Sequence, residues 1–332
     1  MTISASPTPQ VSITVVVTAV GAIIGQGIAA SLRKSGLAVR IIGVDRDPMG
    51  IGRHFCDRFY PKPACDEDTP EYASFWLDLL DREQVDLVLP GLELDVLFFS
   101  RHRSAFEGAG ARIVLNDADL IEVAQDKWDF GLELQRHGIA PIPACLNRDW
   151  SGCVTGLGPP PLLLKPRQGN GSRGIAVLRD EEDFLYWSRK SRDAFLVQKF
   201  VGTDEAEYTV GAFGLGDGRA LTPIIFRRKL SVAGNTQYAE VVAHPILADA
   251  VARLAAIFKP VGPTNYQFRM EGDTPWLLEI NPRFSSSTSL RAAFGYNEAL
   301  MSVEFFLRNR TPAPPEITPG RGWRYYDDLV VT

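Results

Sequence analysis

The chain has 332 residues, enough for about two domains of ordinary size, with 45% hydrophobic and 23% charged residues. No apolar run approaches the roughly 20 residues of a membrane-spanning helix, and a net charge of −5 without a Lys/Arg cluster argues against nucleic-acid and membrane partners. Cys56, Cys65, Cys145 and Cys153 lack C-x-x-C spacing and the four histidines are scattered, which predicts reduced thiols in a cytoplasmic protein and no His/Cys metal site.

"MTISASPTPQ" has no basic segment leading into an apolar core, so it reads as a short flexible leader rather than a signal peptide. From there "ITVVVTAV" (13–20), "VRIIGVD" (39–45), "VDLVLPG" (85–91) and "ARIVLN" (111–116) predict buried parallel strands. Helical patterns starting from Ile28, Thr69 and Leu94 lie between them. Such a βαβ series predicts a doubly wound sheet over residues 11–116.

The first strand ends in glycines, and Asp45 closes the second, as in a dinucleotide-binding domain. The fingerprint for that function is G-x-G-x-x-G. Here Gly21, Gly25 and Gly27 follow G-x-x-x-G-x-G, so a tight turn in a Rossmann-like scaffold is the better expectation. An NAD(P)-dependent oxidoreductase is kept as an alternative. The helix N-terminus after the turn suits an anion.

"PIPACLNRDWSGCVTGLGPPPLLLKP" breaks the rhythm and marks a change of structural unit. Beyond it come strands of antiparallel character and two amphipathic helices, 246–258 and 297–308. They predict an α+β unit over 117–310, followed by a loop-like tail, 311–332.

"LLLKPRQGNGSRGIAVL" (162–178) places Lys165 at a strand end before a glycine-rich loop. An ammonium beside mobile backbone N–H groups suits polyphosphate, although a simple hairpin with a glycine turn fits the same pattern. In "FLVQKFVGTDEAEYTV" (195–210), a chain crossing between subdomains could offer backbone to an adenine edge and Glu207 to ribose hydroxyls. On spacing alone, a hairpin with an acidic turn fits better.

"TNYQFRMEGDTPWLLEINPRFSSST" (264–288) is the most informative stretch. Alternation puts Glu279 and Asn281 on one strand face, and a hairpin partner brings Gln267 beside them. Two amide oxygens and a carboxylate form a hard-oxygen site suited to Mg2+. Arg283, two residues on, suits a transferring phosphoryl group. In "FRRKLSVAGNTQYAEVV" (226–242), Arg227 and Arg228 either clamp a substrate carboxylate or sit on a solvated strand pair. Ser286 and Arg291 are further substrate candidates.

Asp126-Lys127, "LLLKPRQGNGSRG", "VQKFVGTDEAEYTV" and "NYQFRM…LLEINPRFSSST", in that order, resemble the ATP-grasp superfamily, with the flavour of carbamoyl-phosphate synthase large chains and amino-acid ligases. The resemblance spans about residues 13–310. It implies a Rossmann-like pre-ATP-grasp domain followed by an ATP-grasp domain with two α+β subdomains, the lid being about 131–200.

It further implies that Lys127 and Lys165 contact ATP phosphates and that loop 167–174, with Gly169 and Ser172, closes over them. Gln198, Lys199, Phe200 and Val201 would form the adenine hinge and Glu207 would hold ribose. Gln267, Glu279 and Asn281 would carry Mg2+ (with Mn2+ as an alternative), and Arg283 and Lys165 would serve catalysis. The anion at the N-terminus of the first helix would be a substrate carboxylate, with Gly25 a candidate contact. The hinge position often filled by Glu is Gln198, and "FSSSTS" replaces a glycine-rich run after the Asn-Pro-Arg element.

The implied activity is ATP-dependent ligation of a small-molecule carboxylate and an amine through an acyl phosphate, in a homodimer. Phosphorylation of bicarbonate or carbamate is the alternative within the same fold.

Overall fold

The computed structural model describes residues 13–169, 174–191, 193–325 and 327–331. Cα packing divides it into two compact units: one runs to Leu115 and takes in Arg283–Pro315, and the other comprises Asn116–Pro282 and the segment from Glu316.

The first unit is built on a parallel sheet of β1 (Ile13–Thr18), β2 (Val39–Asp45), β3 (Arg58–Pro61), β4 (Leu87–Leu89) and β5 (Arg112–Ile113), in the order β3-β2-β1-β4-β5. Val15, Val16, Val17, Ile41 and Ile42 are fully buried, as β-branched residues covered on both sheet faces should be. The sequence pattern missed β3, whose "RFYP" is flanked by charge and proline. It pairs in register with β2 from Ile42–Arg58 to Asp45–Pro61.

The helix Ile23–Arg33 follows β1 through a turn in which three backbones converge. A Cβ on Gly25 would stand 2.1 Å from the Ala19 carbonyl oxygen, and one on Gly91 would stand 2.3 Å from that of Thr18. No side chain fits at either place, so these glycines are required for packing.

Arg283–Pro315 was expected in the second unit but packs with the first. The reason is the uncovered side of Ile23–Arg33. Gly27 lets Ser289 approach, Asn297 Nδ2 donates to Ser31 O at 2.9 Å, and Phe284, Ala299 and Val303 join the core of Val15, Val17 and Ile28.

The second unit holds two antiparallel sheets. The smaller consists of β6 (Ala144–Cys145), β7 (Leu162–Pro166), β8 (Ala176–Leu178) and β9 (Phe195–Lys199), in the order β6-β9-β7-β8. Its core is Leu162, Leu164, Val197, Cys153 and Phe184. The proline- and glycine-rich stretch read as a boundary is therefore part of this layer: it supplies β6 and the helix Trp150–Leu157, capped by Asp149.

The larger sheet contains β10 (Glu207–Leu215), β11 (Ile224–Leu230), β12 (Thr236–Val241), β13 (Val261–Glu271), β14 (Thr274–Asn281) and β15 (Arg321–Trp323), in the order β14-β13-β10-β11-β12-β15. The helix Pro245–Phe258 lays Leu247, Val251 and Leu254 against Val210, Tyr266, Phe268 and Ile280; each such side chain contributes about 1.5–3 kcal/mol on burial. The tail is not loop throughout, because β15 pairs with β12. Among the described residues, no helix is long and apolar enough to cross a membrane.

Candidate active site

Two basic segments of the second unit are tied together near the end of β7. Asp126 caps the helix Lys127–Arg136, accepting from Trp128 N and Asp129 N. Its carboxylate also receives the Arg167 guanidinium, with Nε at 3.0 and 2.9 Å from the two oxygens. Lys127 N donates to Arg167 O at 2.9 Å, and Lys127 Nζ donates to Gly169 O at 2.9 Å. A capping carboxylate thus holds Lys127 against the start of the glycine loop. Ser172 lies outside the described residues.

Lys165, on β7, is 8% exposed, and its Nζ donates to Gln198 Oε1 at 2.6 Å. Register explains the contact: Lys165 faces Leu196 on β9, and Gln198 is the diagonal neighbour two residues on. Burial lowers the Lys165 pKa to about 8, with Glu279 opposing the shift and Lys127 adding to it. The hinge residues follow Gln198. Lys199 N donates to Pro143 O at 2.8 Å, so its amide is already engaged, and Phe200 lies beneath the Arg269 guanidinium at 5.5 Å. Val201 is buried. Gly202 is left-handed (φ 58°), and a Cβ there would meet Met270 O at 2.8 Å.

Gln267 on β13 lies directly opposite Glu279 on β14, and Asn265 opposite Asn281, with a register shift just beyond Gln267. Glu279 Oε1 gathers both amides: Gln267 Nε2 donates to it, and Asn281 Nδ2 does so at 2.9 Å. The structure therefore brings the three expected oxygen ligands together. Gln267 Oε1, however, accepts from Arg228 at 2.5 Å, so the two amide oxygens do not converge in this arrangement. Glu279 Oε2 receives no hydrogen bond among the described residues, and among those residues no cluster of three His, Cys, Asp or Glu side chains could hold a metal. A cation here would rest on one carboxylate assisted by amides.

Glu207 was assigned to ribose, but both its oxygens are engaged. Oε1 accepts from Arg228 Nε and a terminal nitrogen at 3.2 and 3.0 Å, and Oε2 from Arg269 at 3.0 and 2.9 Å. The carboxylate is 6% exposed and held between two guanidiniums. In the same turn, Glu205 is exposed; its own backbone amide and Thr203 hold its carboxyl below the usual range. Three acids in five residues gave the sequence no way to choose among them.

Arg227 and Arg228 do not form one clamp. Strand alternation sends Arg227 outward to Glu240 at 2.5 Å and Arg228 inward to Glu207, where it is 5% exposed.

In the first unit, Arg283 donates to Phe284 O and to Glu93 Oε2, each at 3.0 Å. Arg291 is fully buried and pairs with the fully buried Glu298 at 2.9 Å, so it is closed to substrate. Ser286 is half-buried. Gly25 is buried and enclosed by the backbone of Thr18 and Ala19. Asp45 Oδ2 accepts from Gly21 N at 2.8 Å. The turn Ile51–His54 brings Gly52 so close that a Cβ on it would stand 2.5 Å from Gly21 N. The glycine pair Gly21 and Gly52 therefore serves a close approach of two backbones.

A family model described as "ATP-grasp in the biosynthetic pathway with Ter operon" matches residues 191–328. Carbamoyl phosphate synthase large chains are similar over most of the chain: that of Kineococcus radiotolerans is 24% identical over 287 residues, 79% of this chain and 25% of the relative. That of Thermoplasma acidophilum is 22% identical over 301 residues, 84% and 28% respectively. N5-carboxyaminoimidazole ribonucleotide synthetase from Thermus thermophilus superposes with a TM-score of 0.69 at 18% identity, covering 93% of this chain and 81% of that one. The biotin carboxylase domain of Hydrogenobacter thermophilus 2-oxoglutarate carboxylase gives 0.69 at 16% identity, over 93% and 73%.

Residues 191–328 match an ATP-grasp family model, and the chain shares the fold of those two structures. The chain spans about a quarter of the length of the carbamoyl phosphate synthase chains it resembles. Of the residues singled out by sequence motifs, the structure sets Lys127 against Gly169, Lys165 against Gln198, and Gln267, Glu279 and Asn281 together. The motifs missed the Asp126–Arg167 clasp and the Arg228–Glu207–Arg269 bridge. The capping position of Asp126 before a helix was a usable signal for the first; nothing in the sequence pairs the members of the second.

Proposed function

We propose that the chain is an ATP-dependent ligase that joins a small-molecule carboxylate to an amine. The carboxylate oxygen attacks the γ-phosphorus of ATP, giving an acyl phosphate and ADP. The amine then attacks the acyl carbon and phosphate leaves. Phosphoryl transfer of this kind needs positioning and cations more than covalent help.

The observation that carries the proposal is a buried ammonium, Lys165, under the influence of Glu279, the carboxylate that gathers Gln267 and Asn281. A lysine is rarely buried without a carboxylate partner, and here its bonded neighbour is a neutral amide. A polyphosphate would supply the missing negative charge. Lys127 would add a second cation at the glycine loop. Val201 and its neighbours would hold adenine, and Glu205 is a better ribose candidate than Glu207 because its carboxylate is accessible.

Glu279 and Asn281, with Gln267 after rotation of its amide, are suited to Mg2+ or Mn2+ by their oxygen chemistry. Bound there, the ion would offset phosphate charge during transfer.

A panel of carboxylates crossed with amines, read by phosphate release and product mass, tests the proposal. Tight ATP binding without ADP formation for any pair would sink it. The carbamoyl phosphate synthase relatives and a neighbour crystallised with bicarbonate favour a second reading, phosphorylation of bicarbonate or carbamate. ADP release driven by bicarbonate alone would establish that one instead.

A further inference from the structure

A cavity of about 420 Å³ opens in the first unit at the carboxyl ends of β1, β2 and β3. Its walls include Gly21, Asp45, Arg46, Asp47, Ile51 and Lys62. The sheet order β3-β2-β1-β4-β5 makes β1 the point from which connections run to opposite sides, where open α/β sheets bind ligands. The volume suits a small metabolite.

Four ionisable side chains set the chemistry. Asp45 is aimed by Gly21 N at 2.8 Å and Asp47 N at 3.3 Å, and Asp47 by Met49 N at 2.9 Å. Backbone donors therefore orient both acids. On the cationic side, Arg46 reaches Glu67 at 2.8 Å but remains 60% exposed. The Lys62 side chain is 2% exposed, and its ammonium bonds Asp95. An ammonium carries three N–H donors, and Asp95 is its sole hydrogen-bond partner among the described residues. A buried cation with unused donors beside a cavity calls for an acceptor in that cavity. Ala22, which also lines it, precedes the helix Ile23–Arg33 without a side-chain cap, so the first-turn amides add to the anion-attracting pole.

Asp45 and Asp47 have no cationic partner among the described residues, whereas Arg46 and Lys62 are paired with Glu67 and Asp95, Lys62 with donors to spare. A purely anionic ligand would leave Asp45 and Asp47 opposed by like charge, and a purely cationic one would leave the remaining Lys62 donors without an acceptor. We infer that this cavity binds a small zwitterion of the amino-acid class, its carboxylate at Lys62 and the first-turn amides, its ammonium at Asp45 and Asp47. The site's role as a substrate site rests on the ligase proposal; its existence does not.

The test is calorimetry and thermal shift on the full chain without nucleotide, using a panel of free amino acids. The N-acetyl and carboxamide derivatives of the best binder are measured alongside. At least one free amino acid is expected to bind saturably, with each blocked derivative about ten-fold weaker or worse, as expected for loss of a charge-assisted contact. Ile51→Trp should fill the cavity and abolish that binding while the thermal shift with ATP–Mg2+ persists. Arg46→Gln, at an exposed side chain, should weaken binding several-fold.

No binding by any amino acid, equal binding of the blocked forms, or binding unaltered in both variants would overturn the site. ADP release driven by an amino acid with an unchanged KM in Ile51→Trp would remove the site and keep the ligase. Saturable binding with no ADP release under any condition would do the reverse.

Discussion

Lys165 Nζ donates to Gln198 Oε1 at 2.6 Å, a diagonal contact across β7 and β9 that fixes an ammonium inside the second unit. Its pKa, lowered to about 8 by burial, gives a pH signature. Below that value the lysine is charged and attracts phosphate; above it the charge is lost. ATP affinity should therefore fall as pH rises from about 7 to 9, and Lys165→Arg should flatten the dependence because guanidinium stays charged. Stability runs the other way: with the folded pKa below the unfolded one, the burial penalty is full below pH ~8 and disappears toward pH ~10.5. Equilibrium binding and denaturation across that range check both signs.

Glu279→Gln removes the only carboxylate of the Gln267–Glu279–Asn281 group. Turnover should drop about 100-fold or more and the apparent requirement for Mg2+ should rise, with the fold intact by circular dichroism. An unchanged Mg2+ titration would take Glu279 out of the metal site.

Glu207 and Glu205 should separate stability from nucleotide binding. Glu207→Ala leaves Arg228 and Arg269 without their shared carboxylate and should cost about 3–5 kcal/mol by denaturant unfolding. Glu205→Gln, at an exposed turn position, should leave stability within about 0.5 kcal/mol and raise the KM for ATP.

Gly25→Ala is expected to damage folding rather than substrate choice. Its Cβ would sit 2.1 Å from a backbone oxygen, and relief requires the first turn of the helix to move away from β1. Overpacking of this kind costs about 1–3 kcal/mol or more, so soluble yield and melting temperature should both fall.

Arg291→Met strands the fully buried Glu298 and should cost about 3–5 kcal/mol. Restoration of stability by adding Glu298→Gln, with KM for every substrate unchanged, would identify the pair as structural.

Local pattern determined much of this protein. A β-branched run followed by glycines fixed β1 and its turn, because parallel strands covered on both faces leave an almost unbroken apolar signature. Period-two alternation put Glu279 and Asn281 on one face, and their facing Gln267 followed from the hairpin register. The lysine at the end of β7 was legible because a strand end beside glycines is a local feature.

Tertiary structure alone decided what depended on distant partners. Arg228 and Arg269 reach Glu207 from strands 21 and 62 residues away, turning an apparent ligand into a bridge. Arg283–Pro315 joined the first unit because the face of Ile23–Arg33 needed cover, and no periodicity encodes which surface a helix will bury against. β3, β12 and β15 are short or polar strands stabilised by neighbours in the sheet, so their own sequences gave little sign of them. The glycines that first pointed to a dinucleotide turned out to serve backbone packing. Whether a glycine is needed for a ligand or for another backbone depends on what chain passes over it, and at Gly25 that chain is the backbone of Thr18 and Ala19.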